Sequence, residues 1–287
     1  MNAERRAIII VCLAIVVVSF AAILIRLCTV PTAVIAAWRL GLASLMLLPI
    51  FAKTQGAAGI SRNQIALCIL AGLFLSLHFL LWIESLKLTT VASSVVLVTT
   101  SPIFAAILGW IFLKESVGRR TLVAIGCCML GSLAIGRGDI RVAAGMLRGD
   151  LLALGGAAAF GGYFVIGRSV RRHVRFLPYV FLAYSASAVM LLGWAVVTHH
   201  HLVGFAPANY LWLLLLALGP QVFGHSSLNW ALGHLPAPKV AISVLGEPIG
   251  SALLAWLIFH EVPGAQLFIG GVLILCGVYL AMSDRST

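Results

Sequence analysis

Ser101-Pro102-Ile-Phe-Ala-Ala-Ile-Leu-Gly-Trp110-Ile-Phe-Leu-Lys-Glu115 lies in register over Glu247-Pro248-Ile-Gly-Ser-Ala-Leu-Leu-Ala-Trp256-Leu-Ile-Phe-His-Glu261. Proline, tryptophan and glutamate recur at identical spacing, and Gly131 and Gly277 continue the register sixteen residues after each glutamate. Upstream, Trp82 and Trp230 match after a two-residue gap. One proline and one glutamate in an apolar run mean little. Two copies in register with matching tryptophan and glycine mark an internal duplication.

Both copies sit in a chain built for lipid. Of its 287 residues 62% are hydrophobic and only 9% charged, far from the composition of a soluble domain. The net charge of +11 does not point to nucleic acid, because the 19 Lys and Arg are scattered singly or in pairs between apolar runs. A helix needs about 20 apolar residues to cross the hydrocarbon. Ten runs supply that: Ile8 to Ile25, Pro31 to Phe51, Ile65 to Ile83, Leu88 to Leu113, Thr121 to Gly136, Leu151 to Gly167, Phe176 to Thr198, Tyr210 to Gly233, Val240 to Phe259 and Val262 to Ser283. They are continuous rather than alternating, which excludes a strand barrel. The predicted class is an all-α integral membrane protein of ten transmembrane helices. The six cysteines lie in or beside these runs with no metal-binding spacing and read as packing residues.

Ten spans put both termini on one side of the membrane. With the N-terminus cytoplasmic, thirteen basic residues fall in inner segments, among them Arg5, Arg6, Arg168, Arg171, Arg172 and Arg175. The outer segments then hold five, Arg26, Lys87, Arg137, Arg141 and Arg148. The positive-inside rule therefore predicts cytoplasmic termini. Five spans per half is an odd number, so the second half enters the membrane upside down relative to the first. The duplication predicts two inverted five-helix repeats, residues 1–138 and 149–284. Inverted repeats characterise secondary transporters, whose site lies near the midplane between the halves.

These features resemble the drug/metabolite transporter superfamily, in its EamA-type ten-helix branch. The resemblance rests on the ten spans, the two five-helix halves, the cytoplasmic termini and the Pro followed thirteen residues later by Glu in each half. It implies a cytoplasmic (inner) membrane exporter of amino acids, their metabolites or drugs. Where many relatives carry a Trp-Gly-like pair in the first helix, this chain reads Ser19-Phe20-Ala21-Ala22, so no single relative's substrate carries over.

The candidate site residues follow from polarity at depth. Glu247 is the acid well inside a span, a candidate for proton coupling or amine binding. Ser243 and Ser251, four residues to either side, extend a polar stripe. Arg39, eight residues into the second span, is the matching base, able to bind an anionic group, to pair with Glu247 or to snorkel to the interface. Gln221, His225 and Asn229 recur at four-residue intervals and share a helix face. His78 and Trp82 have the same spacing in the first half, and Ser226 and Trp230 align with them. Thr100 and Ser101 are small polar groups at mid-depth. Pro102 and Pro248 each remove a backbone donor, freeing the carbonyls of Val98 and Val244, and are hinge candidates. Glu115 and Glu261 read as helix-terminal anchors. The small residues of the sixth span, Gly155, Gly156, Gly161 and Gly162, predict close helix packing.

An intramembrane enzyme is the reading from another class. His260-Glu261 opens like a zinc-peptidase motif, but position 264 is Gly. Gly224-His225-Ser226 suggests an intramembrane serine protease, yet no histidine in a later span supplies a base. No cofactor is implied. The predicted function is an exporter of amino acids or related small metabolites working by alternating access between two sides of a lipid bilayer, with protons as a coupling partner. The alternative is uptake or exchange of a nucleotide, sugar or other metabolite.

Overall fold

The structure is a computed structural model that describes residues 3–54, 56–88, 94, 97–115, 117–136, 147–260 and 265–283. Among them there is no β-strand. The helices are α1 (Ala3–Val18), α2 (Phe20–Leu27), α3 (Thr32–Lys53), α4 (Arg62–Leu88), α5 (Ser101–Leu108), α6 (Arg119–Gly136), α7 (Leu147–Arg171) and α8 (Phe176–Val197). They continue as α9 (Pro207–Leu216), α10 (Ser226–Ala231), α11 (Ala237–Val244), α12 (Glu247–Phe259) and α13 (Ala265–Ser283). Two π-helical segments, Gly109–Leu113 and Ala217–His225, continue α5 and join α9 to α10.

Among the described residues seven helical stretches are long and apolar enough to cross a membrane: Arg5–Leu27, Thr32–Lys53, Arg62–Ser85, Leu147–Arg171, Phe176–Val197, Pro207–Ala231 and Ala237–Ile258. Ser101–Leu113 and Phe268–Ser283 are shorter apolar helices. Large apolar side chains such as Leu13, Leu45, Phe112, Val189, Leu257 and Phe268 face outward. That arrangement suits lipid, which solvates them as well as a protein core would.

Several spans that read as continuous are interrupted. The first breaks at Ser19, where the Ser19 hydroxyl donates to the Ile15 carbonyl at 2.8 Å. The ninth breaks at Leu245 and Gly246, so that Glu247 and Pro248 open α12 instead of lying within one helix. In the first half a turn at Thr99 and Thr100 precedes α5, with Pro102 as its second residue. Proline lacks an amide hydrogen and fits a helix start, where that donor has no intrahelical partner. Each repeated proline therefore sits in the first turn of the helix that follows the interruption.

The duplication is visible in local geometry. Lys114 and His260, which occupy equivalent places in the repeated stretch, both adopt left-handed backbone conformations, at φ 56° and 57°. Gly131 and Gly277 mark a reciprocal crossing of α6 and α13. A Cβ on Gly131 would lie 2.6 Å from the Gly270 carbonyl oxygen, and one on Gly277 would meet Cys128 Sγ and lie 2.8 Å from the Ala124 carbonyl oxygen. On α7, a Cβ at Gly161 would stand 2.7 Å from the Cβ of Phe104, and one at Gly162 would collide with the Phe74 ring. The small residues of that helix thus admit α5 and α4 at close range, as the sequence predicts.

Candidate functional site

Arg39 is carried into the interior by the middle of α3 and is 1% exposed. Its Nε donates to Gln221 Oε1 at 2.6 Å, and its guanidinium carbon lies 4.3 Å from the centroid of the Phe79 ring. Snorkelling to the interface is thereby excluded. Nη1 and Nη2 have no hydrogen-bond partner. Among the described residues no carboxylate touches the Arg39 charge, whereas Arg168 and Arg172 both pair with Glu115. A buried charge is costly unless paired or hydrogen-bonded.

Gln221 and His225 belong to the nine-residue π segment that contains Pro220. A proline inside a helix removes one bond of the ladder and displaces the backbone around it, and π segments are frequent at functional sites. Here the segment turns Gln221, fully buried, and His225, 5% exposed, toward α3 and α4. Gln221 Nε2 and His225 Nδ1 have no partner either. The His225 ring lies 5.7 Å from that of Phe79.

His78 stacks on Phe160 at 4.2 Å between ring centroids with an interplanar angle of 15°, and is nearly parallel to Trp82 at 5.8 Å. Its Nδ1 lies 3.0 Å from the Gly156 carbonyl oxygen. A carbonyl only accepts, so Nδ1 carries the proton. Trp82 Nε1 is buried without a partner. Asn229, on α10, is turned into a hydrogen-bonded chain: Tyr163 donates to its Oδ1 at 2.8 Å, and its Nδ2 donates to the Tyr184 hydroxyl at 3.2 Å. Tyr184 in turn meets Ser226 Oγ at 3.2 Å.

Glu247, partly buried as the first residue of α12, is within electrostatic reach of Arg39 without touching it. The positive end of the helix dipole favours a carboxylate there. Ser19 Oγ approaches the Glu247 carbonyl at 3.4 Å and Ser251 Oγ donates to the Ser19 carbonyl at 3.0 Å. The break in the first span therefore packs directly on the first turn of α12. Ser243 bonds back to Lys239 in α11, so the helix break interrupts the expected stripe through Ser243 and Ser251.

Thr100 returns its hydroxyl to the Leu97 carbonyl at 2.6 Å, and Ser101 is buried at the start of α5. Trp230 packs against His234, with ring centroids 4.2 Å apart and planes tilted by 32°, and is not part of the Arg39 cluster. Glu261 lies outside the described residues. His199 to His201 follow α8, and among the described residues no three metal-ligating side chains gather.

The sequence gives no signal for Phe79, Phe160, Tyr163 and Tyr184, which look like any aromatic residue in an apolar helix. Nor does it reveal that Glu115 does more than anchor a helix end. Arg168 Nε donates to Glu115 Oε1 at 3.0 Å and Arg172 Nη2 bonds the same oxygen. Arg168 also donates to the Leu232 carbonyl, and Arg171 to that of Asn229.

A family model described as the EamA-like transporter family matches residues 5–137 and again 147–283. The chain belongs to the EamA-like transporter family. It is a multi-pass membrane transporter, not an enzyme. Among the curated relatives of this EamA-like chain is "Uncharacterized transporter YdfC" of Bacillus subtilis, 25% identical over 85% of the chain and 79% of the relative. "Pseudopaline exporter CntI" of Pseudomonas aeruginosa is 25% identical over 86% and 84%, and a "Riboflavin transporter" of Vibrio cholerae 25% over 86% and 82%. A protein of known crystal structure shares the fold, with a TM-score of 0.80 over 96% of each chain at 18% identity.

Proposed function

We propose that the chain is a secondary transporter of ten transmembrane helices, arranged as two inverted five-helix repeats, 1–138 and 149–284. Both termini are cytoplasmic in the cytoplasmic (inner) membrane. It exports amino acids or related small metabolites by alternating access, with the site between the halves around Arg39, Gln221, His225 and Glu247. His78 and Trp82 form an aromatic wall beside it, Asn229, Thr100 and Ser101 support it, and Pro102 and Pro248 are its hinges.

The observation that carries this reading is Arg39: a buried guanidinium with two unpartnered nitrogens, held by Gln221 from the other matched segment. Interrupted helices beside it, with α12 opening on Glu247, match the discontinuous helices from which transporter sites are built. The relative named as an exporter supports the direction. Glu247, an acid at depth, is assigned to proton coupling.

The test is transport in proteoliposomes of a labelled panel of amino acids, related metabolites and riboflavin, with and without an imposed pH gradient. Wild type should move at least one panel compound, faster with the gradient. Glu247→Gln should keep downhill exchange and lose the gradient-driven part. A variant that responds to the gradient as wild type does would remove Glu247 from coupling, and no transport of any compound would sink the metabolite reading.

A further inference from the structure

Four buried polar atoms without partners converge on one cluster: Nη1 and Nη2 of Arg39, Nε2 of Gln221 and Nδ1 of His225. Native proteins leave few such groups, and each leaves a desolvation cost unrecovered. Three of the four belong to side chains already fixed in place. Gln221 Oε1 holds Arg39 Nε, and Phe79 lies under the guanidinium. The two remaining guanidinium nitrogens form a preset fork, the geometry that a carboxylate fills with two parallel hydrogen bonds. No carboxylate of the described chain fills it, Glu247 included.

We propose that Arg39, Gln221 and His225 form the subsite for the carboxylate of the transported molecule. This deepens the amino-acid reading above and rests on it for the rest of the passenger. Charge balance selects the class. Arg39 brings one positive charge beside the amide donor of Gln221 and the His225 imidazole, which suits a monoanionic carboxylate better than a doubly charged phosphate. Glu247, at the start of α12, lies within electrostatic reach of Arg39 but not in contact with it. A zwitterion satisfies both, its carboxylate on the Arg39 fork and its ammonium toward the start of α12.

The test uses the full chain in detergent and reads the thermal unfolding midpoint against L-amino acids, each beside its carboxamide and its decarboxylated amine. At least one amino acid should stabilise wild type, with half-saturation at least tenfold lower than for its carboxamide. Arg39→Gln should abolish that preference. Arg39→Lys, which keeps the charge and loses the fork, should reduce it severalfold. Gln221→Leu leaves Arg39 in place but unfixed, and should reduce the preference even where Arg39→Gln fails to fold.

Equal stabilisation by acid and carboxamide, no stabilisation by any carboxylate, or a preference that survives in Arg39→Gln each overturns the proposal. So does a nitrate-for-chloride exchange that shifts the midpoint as much as the amino acids do, which would make this a site for inorganic anions. The two readings fail separately. Stabilisation by propionate or succinate alone keeps the carboxylate subsite and removes the amino-acid passenger. Amino-acid transport with equal transport of carboxamides keeps the passenger class and removes the subsite.

Discussion

Glu115→Gln should release one end of the transporter. Glu115 lies in the first matched segment, while Arg168 and Arg172, which bond its Oε1, lie in the second. The Arg168 pair is 15% exposed on both sides and hydrogen-bonded at 3.0 Å, so a charge-assisted contribution of about 1.5–3 kcal/mol applies. Arg172 is 40% exposed, and its share falls to about 0.2–1 kcal/mol. On the alternating-access reading proposed above, together they would favour a closed arrangement of this end by ~2–4 kcal/mol, roughly thirtyfold to several hundredfold in the closed-to-open ratio at 1.4 kcal/mol per tenfold. The assay is labelling of Thr100→Cys, in a chain with its six native cysteines replaced, by an impermeant maleimide applied to each face of membrane vesicles. Glu115→Gln should raise the labelling rate at least tenfold from the Arg168 side and lower it from the other. Equal rates in both backgrounds would mean that the ion pairs anchor helix ends without biasing the halves, and the reasoning would be refuted.

Replacing Gly131 by Ala should lower the thermal midpoint, because the new Cβ lies 2.6 Å from the Gly270 carbonyl oxygen, an overpacking cost of about 1–3 kcal/mol. Gly126→Ala on the same helix meets nothing within 4 Å and should gain up to about 1 kcal/mol in helix propensity; the reverse order of midpoints would contradict the α6–α13 crossing. Asn229→Leu removes the partner of the Tyr163 hydroxyl and one partner of Tyr184 and should cost about 1–3 kcal/mol. A midpoint within error of wild type would show that the chain of tyrosines is not holding α10. Arg26 lies as far into the first matched segment as Arg168 lies into the second, so Arg26→Gln should shift Thr100→Cys labelling in the direction opposite to Glu115→Gln. A shift in the same direction would argue against inverted halves.

The helices were readable because a backbone in lipid must bond to itself, which makes a long apolar run nearly unambiguous. The Gly131 and Gly277 register was readable for a related reason: each glycine admits the backbone of the other repeat, so both copies need it. Arg39, Gln221 and His225 stood out as polar residues at depth, and their convergence is what the structure adds. The break at Ser19 leaves no sequence signal of its own, whereas the one before Glu247 is flanked by Gly246 and Pro248. Where the two breaks meet, the Ser19 and Ser251 hydroxyls bond to carbonyls. The partners Tyr163, Tyr184 and Phe79 were hidden because an aromatic side chain suits lipid and interior equally. The Glu115 pairs were hidden because contact between residues 53 apart depends on how α5 and α7 pack.

On the proposed reading, the carboxylate subsite also explains why binding should be linked to movement. Arg39 and Phe79 come from one matched segment and Gln221 and His225 from the other. A carboxylate bonded to Arg39 alone would leave Gln221 Nε2 and His225 Nδ1 unpaired, whereas one bonded to both segments satisfies the set. The second group of bonds forms only when the halves stand at the right separation, so the passenger stabilises that arrangement in proportion to the bonds it gains there. An ester or carboxamide would lose the charged part of this differential, and an amine all of it. Such ligands would then bind weakly and, more tellingly, fail to shift the ratio of labelling from the two faces, even at concentrations that fill the site.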